Sequence, residues 1–365
     1  MKVRIFITAA TVAAMTFGSA PCMGQKLPVA TRVWSVGPLT KGEKVAGFSV
    51  GPGGATMTAP HIDSQTSSIF SATRSMVFAG DRIVLASQIG TRNVEGRQTP
   101  ASVYSLVSLD LKTGAIKNTR ELLSFGALFS TEDGHVIVSG QNIARLTPDL
   151  KDDATFDYTS TGHKYNRAQN SSPDGSTLGI ATSPGFVMID TATLQTTKLT
   201  DAPLVDTSVN NKGVVTDNIH WIRDYPKDLS FISYIDAAGQ HLAYHGNCGG
   251  RPQFLTNDLI FEPGCKDALI FDTQGKLLTT IKLNERFSFA GVSQNGKRFA
   301  LQLAKWGEDN MKSERFVIYS VETGAPVTEV KAAEAPEEQS WTAFSPDGTM
   351  FVVGSPLKLT LYRLP

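Results

Sequence analysis

Cysteine is nearly absent from this 365-residue chain: there are three, Cys22, Cys248 and Cys265, with no Cys-x-x-Cys among them. A dithiol redox motif is thereby excluded. An excess of either charge is missing too, with 34 Lys and Arg against 34 Asp and Glu, and basic residues never run four together. Nucleic acid or an anionic membrane as a partner calls for a basic patch, and the sequence offers none. Long apolar runs are lacking: Ile5 to Phe17 is the longest, too short to cross a bilayer, so no transmembrane segment is expected. No stretch sustains a 3.6-residue apolar period, which argues against helices. The six histidines are dispersed, with no paired-histidine helix motif and no calcium-loop pattern. His241 and His245 share a strand face but stand about 13 Å apart along it, too far to reach one ion. No metal and no cofactor are expected.

What the chain does have is a recurring turn. Ser345-Pro346-Asp347-Gly348 lies between Ala343-Phe344 and Phe351-Val352-Val353, and Ser172-Pro173-Asp174-Gly175 is a near copy. Pro presets the first central φ, Asp bonds back to the local backbone, and Gly takes the positive φ that closes the bend. Looser versions are Ser130 to Gly134, Ser293 to Gly296 and Asn210 to Gly213. A second turn follows each at a similar offset, clearest at Asp110-Leu111-Lys112-Thr113-Gly114 and repeated from Asp149, Asp190, Asp236, Asp272 and Ser320. These marks recur roughly every forty residues, with short β-forming runs around both turns. That is the period and strand count of a propeller blade.

The string Ser-Pro-Asp-Gly, strand, Asp-Thr-Ala-Thr at 172–193 resembles the YVTN-type and WD-like propeller repeats of bacterial extracytoplasmic proteins. The resemblance spans about 70–365; the Gly-His and Trp-Asp pairs of the full WD signature are absent. It implies an all-β fold, and the turn count gives a seven-bladed β-propeller of four-stranded antiparallel blades. Blades are expected near 68–122, 123–163, 164–201, 202–246, 247–284, 285–335 and 336–365. The last has room for three strands, so one of two N-terminal strands, Val29 to Val36 or Lys44 to Val50, is expected to complete it and close the ring.

Residues 1–24 read as a signal peptide: Lys2 and Arg4, an apolar stretch, then small residues, with cleavage near Gly24-Gln25. A lipoprotein anchor at Cys22 is the competing reading. Residues 25–365 are then one exported domain, periplasmic or secreted, soluble and monomeric. In an oxidising compartment Cys248 and Cys265, on loops of the same face, are expected to form a disulfide, adding about 3 kcal/mol by the chain-entropy model.

Both turn families fall on one face of such a disc. The opposite face receives the irregular loops, placed at Gln88 to Ala101, Lys151 to Arg167, Ile219 to Asp228 and Ala304 to Glu314. Variable loops on a rigid scaffold are where binding concentrates. The candidate ligand-binding residues are His163, Tyr165 and Arg167; His220, Trp221, Arg223, Asp224 and Tyr225; Trp306; and Arg92 with Arg97. Aromatics beside Arg are favoured at binding hot spots, while solvated charges and blade-capping aromatics are the structural alternative. An Asp-rich stretch, Asp149, Asp152, Asp153 and Asp157, offers either a surface cation site or solvated charge. Gly47-Phe48-Ser49-Val50-Gly51 matches a nucleophile elbow, but Pro52-Gly53-Gly54 forbids the helix that must follow. The expected function is a binding scaffold for a protein, peptide or glycan. The alternatives are an enzyme of the lactonase or quinoprotein/amine-dehydrogenase kind, which the resemblance includes, and a structural envelope component.

Overall fold

The computed structural model describes residues 27–36, 73–94, 98, 100–140, 142–157, 164–183, 185–201, 204, 207–218, 230–246, 251–264, 266–304, 315–331, 341–355 and 358–365. They form seven four-stranded antiparallel sheets. Blade 1 holds β2 (Thr73–Ala79), β3 (Arg82–Arg92), β4 (Ala101–Asp110) and β5 (Ile116–Leu122). Blade 2 holds β6 (Ala127–Ser130), β7 (Val136–Ser139), β8 (Ile143–Leu146) and β9 (Asp152–Phe156). Blade 3 runs through β10 (Lys164–Ser171), β11 (Thr177–Ser183), β12 (Phe186–Asp190) and β13 (Thr196–Thr200). Blade 4 runs through β14 (Thr207–Val209), β15 (Gly213–Asn218), β16 (Ser230–Asp236) and β17 (Gly239–Gly246). Blade 5 comprises β18 (Gln253–Phe254), β19 (Leu259–Pro263), β20 (Asp267–Asp272) and β21 (Leu277–Lys282). Blade 6 comprises β22 (Arg286–Val292), β23 (Arg298–Ala304), β24 (Arg315–Ser320) and β25 (Pro326–Lys331). Blade 7 is β26 (Trp341–Phe344), β27 (Met350–Ser355), β28 (Lys358–Arg363) and, as its outermost strand, β1 (Thr31–Val36).

The middle strands are apolar without alternation because both faces of each sheet are covered by a neighbouring blade. In β3, Ile83 and Leu85 pack with Val352, Leu359 and Leu361 of blade 7, while Val84 and Ala86 pack with Val136, Val138 and Leu146 of blade 2. In β27, Phe351 and Val353 meet Phe316 and Ile318 of blade 6, whereas Val352 turns to blade 1. Seven apolar clusters result, one at every seam between blades, including the seam joining blade 7 to blade 1. Each fully buried Leu or Phe contributes roughly 2 kcal/mol by area, so no blade is stable without its neighbours.

The first strand belongs to the last sheet: β1 pairs antiparallel with β28, Thr31 opposite Arg363 and Val36 opposite Leu359. Its flanks reach two other blades. Pro28 O accepts from Glu329 N at 2.9 Å, Ala30 N donates to Glu329 O at 2.9 Å, and Trp34 Nε1 donates to Leu111 O at 2.8 Å. The segment therefore ties blades 6, 7 and 1. The alternative strand at 44–50 lies outside the described residues.

Two of the expected loops are shorter than the sequence suggested. The β3–β4 ladder continues through Gln88↔Tyr104 to Arg92↔Ala101, so the connection shrinks to 93–100. Lys151 to Arg167 contains β9 and the start of β10, which leaves 157–163. The outermost strand of a blade is half solvated, so β9 can be as polar as Asp-Asp-Ala-Thr-Phe and still pair.

Candidate functional site: two unlike faces

The two turn families do share a face, and their bonds show it. Leu111 N donates to Asp81 O at 3.1 Å, Thr191 N to Ser176 O at 2.9 Å, and Val321 N to Lys297 O at 3.0 Å, each an outer turn bonded to the inner turn of its own blade. The outer turns of blades 1, 3, 4 and 5 are closed by their leading carboxylate: Asp110 Oδ1, for example, accepts from Lys112 N, Thr113 N and the Thr113 hydroxyl at 2.9–3.0 Å. The Thr113 hydroxyl is the main reason the Asp110 carboxyl sits below its usual value. In the inner turns a Ser or Thr donates to the Asp or Asn two residues on: Thr131 to Asp133, Ser172 to Asp174 and Ser345 to Asp347 at 2.6 Å, Ser293 to Asn295 at 2.8 Å.

On this face the inner turns also bond to one another. Asp174 of blade 3 accepts Asn257 Nδ2 of blade 5 at 2.5 Å on Oδ2, and Gln294 Nε2 of blade 6 at 2.7 Å on its carbonyl. Asn210 of blade 4 donates to Asn257 O at 2.6 Å. Asn295 of blade 6 donates to Asp347 O of blade 7 at 2.6 Å. Blades 3 and 6 stand on opposite sides of a seven-membered ring, so the Gln294 bond crosses the axis and closes this end. Burial alone would raise the Asp174 carboxyl, but the Ser172, Asn257 and Ser176 donors outweigh it and hold the group low.

The axis is bordered by β2, β6, β10, β14, β18, β22 and β26, the strands through which successive sheets meet. Side chains of one blade bond the backbone of its neighbour along this border. Ser75 Oγ accepts Leu128 N at 3.2 Å and Ser208 Oγ accepts Phe254 N at 3.1 Å. Asn170 donates to Thr207 O and Thr342 to Ala290 O.

The opposite face carries the loops, and the expected site residues are only partly described. Arg92 ends β3 and pairs with Glu121 at 2.5 Å, both half-exposed. Tyr165 and Arg167 are not on a loop: they stand in β10, the innermost strand of blade 3, opposite Thr182 and Ala181 with a register shift between. Arg92 and the β10 pair therefore lie on different blades. His163, His220, Trp221, Arg223, Asp224, Tyr225, Trp306 and Arg97 lie outside the described residues, as do Cys248 and Cys265 and the bridge expected between them.

The Asp-rich stretch is not one site. Asp149 accepts from Asn118 at 3.0 Å, Asp152 pairs with Arg120 at 2.8 Å, and Asp153 pairs with Arg145 at 2.8 Å. Arg145, only 6% exposed, centres a cluster the sequence reading missed. Its Nη1 donates to Thr191 O at 3.0 Å and Ala192 O at 2.8 Å of blade 3, its Nη2 bonds Asp133, and His135 Nδ1 lies 3.2 Å from Asp133. The guanidinium fills the position a cation would take between those groups, and among the described residues no three His, Cys, Asp or Glu side chains form a metal set. The signal was a single charged residue in the four-residue buried strand Ile143-Ala144-Arg145-Leu146.

No family model matches the chain, and no curated protein matches it. Among solved structures, the C-terminal WD40 domain of Sif2 aligns with a TM-score of 0.47 at 9% identity, covering 93% of this chain and 100% of that one. A likeness so slight assigns no role to any residue. Among the described residues no helix is long and apolar enough to cross a membrane.

Proposed function

We propose that this chain is an exported binding scaffold that holds a protein, peptide or glycan through the loop-bearing face of its ring. The observation that supports this is the asymmetry of the disc. One face is built of short, regular turns, several of whose polar groups bond one another, including the Gln294–Asp174 bond across the axis. The other receives every connection of variable length, where binding residues concentrate on rigid scaffolds. The aromatic and basic residues of those connections, Trp221, Arg223, Tyr225 and Trp306, are the proposed contacts, and Cys248 with Cys265 the proposed brace beneath them.

The test is comparative capture. Immobilised mature chain and a variant carrying Trp221→Ala and Trp306→Ala are exposed to the same extract. The variant is expected to lose specific partners while keeping its melting temperature. Equal recovery of the same partners by both would remove these loops from the binding face.

A further inference from the structure

Asn-Gly occurs once in the chain, at Asn295-Gly296 in the inner turn of blade 6. Blades 2, 3 and 7 carry Asp-Gly at the same place: Asp133-Gly134, Asp174-Gly175 and Asp347-Gly348. Either dipeptide can close on itself, because glycine has no side chain to screen its nitrogen from the side-chain carbonyl before it. The electrophile decides which one does. An amide keeps its carbonyl carbon open to attack at neutral pH, whereas an ionised carboxylate repels a nucleophile. Burial alone would raise the three Asp carboxyls, but their donors outweigh it and hold all three low, so they stay ionised. Asn295 is exposed. Gly296 N donates to Ser293 O at 2.8 Å, so attack follows a local opening of this solvent-facing turn.

We propose that Asn295 is a self-modification site, where the amide is lost with age and the tie it makes between blades 6 and 7 is lost with it. Gly296 N gives its proton to water and attacks Asn295 Cγ. A C–N bond forms, the Cγ–Nδ2 bond breaks, and ammonia leaves behind a cyclic imide. Water then opens the imide, at Cγ to give aspartate or at the main-chain carbonyl to give isoaspartate. Nothing is oxidised or reduced.

The effect of the aspartate product can be read from turns already in the ring. Asp347 Oδ1 accepts from Ser345 Oγ at 2.6 Å and Thr349 N at 3.0 Å, and Asp174 Oδ1 from Ser172 Oγ at 2.6 Å and Ser176 N at 3.0 Å. Asn295 Oδ1 accepts the matching pair, Ser293 Oγ at 2.8 Å and Lys297 N at 3.0 Å. A carboxylate keeps both bonds, so the turn survives. It cannot replace Nδ2, which donates to Asp347 O at 2.6 Å. An oxygen there meets a carbonyl oxygen, next to the ionised Asp347. The adjoining bond across the same seam, Asn295 N to Pro346 O at 3.0 Å, loosens with it. None of this depends on which face holds a ligand.

The test begins with the folded chain kept in warm, mildly alkaline buffer and sampled over a month by peptide mapping and mass spectrometry. Conversion is expected at Asn295, with Asp133, Asp174 and Asp347 left unisomerised. An unchanged Asn295, or isomerisation of the three aspartates at an equal rate, would overturn the assignment. Asn295→Asp supplies the aspartate product directly. Its amide hydrogen exchange should quicken about fivefold at residue 295 and stay unchanged at Lys297, as expected for the loss of one seam bond with the turn intact. Quickening at both amides would place the damage in the turn, and no change at either would show that the Asn295 tie holds nothing; each overturns the seam reading.

Discussion

Gly175→Ala is the sharpest probe of the closed face. Gly175 has φ +75°, and an added methyl would come 2.7 Å from Ser130 O, 3.0 Å from Glu132 N and 2.5 Å from Gln294 Nε2. Two of these are backbone atoms of blade 2, which cannot move without shifting the blade. Gly80 is the matched control. It occupies the corresponding turn of blade 1 at φ +57°, but its methyl would meet nothing nearer than Pro148 Cγ at 3.6 Å. Left-handed backbone costs an alanine about 1 kcal/mol at either position. Overpacking adds about 2 kcal/mol at Gly175 only. With an unfolding entropy that scales with chain length, 1 kcal/mol corresponds to about 1.5 °C here. Gly80→Ala should therefore lower Tm by about 1.5 °C and Gly175→Ala by about 4.5 °C, read by differential scanning calorimetry at one scan rate. Equal losses would mean that the Gly175 turn does not press on blades 2 and 6, and the argument for a sealed axis would fail.

Arg145→Met should cost about 3–5 kcal/mol in urea unfolding, since it leaves Asp133 and Asp153 without their cation and two carbonyls of blade 3 unpaired; Arg145→Lys should recover less than half, and full recovery would show that the planar fork is immaterial. Acid should destabilise the ring below about pH 4. Asp133, Asp174 and Asp347 are each pushed up by burial but pulled further down by their donors, so their folded pKa values lie below the ordinary one. The stability they contribute is complete above the unfolded value near ~3.9 and disappears as pH falls through the folded values. Urea midpoints measured from pH 6 to pH 2 should drop in that window, and Asp174→Asn should shallow the drop.

What was legible in the sequence is what is local. Ser172 to Gly175 and Asp190 to Thr193 close their turns with bonds reaching two or three residues, so the residues themselves announce blade, strand count and face. The Gln294–Asp174 bond joins residues 120 apart, and nothing near either one betrays it. The Arg145 cluster was not legible, because its partners come from two turns and an outer strand. Tyr165 and Arg167 read as loop residues in the sequence because Lys-Tyr-Asn-Arg-Ala-Gln-Asn-Ser has little apolar alternation. An axial strand needs little, since one edge of it borders the central opening rather than another strand.

The antiparallel match of Thr31 with Arg363 has a mechanical consequence. Tension applied to residues 30 and 364 loads the adjoining end of the ladder first, so the rungs between β1 and β28 part in succession instead of sharing the strain. A tether pulling on both ends would peel the ring open at low force, and one attached at a single end would leave that zipper unloaded.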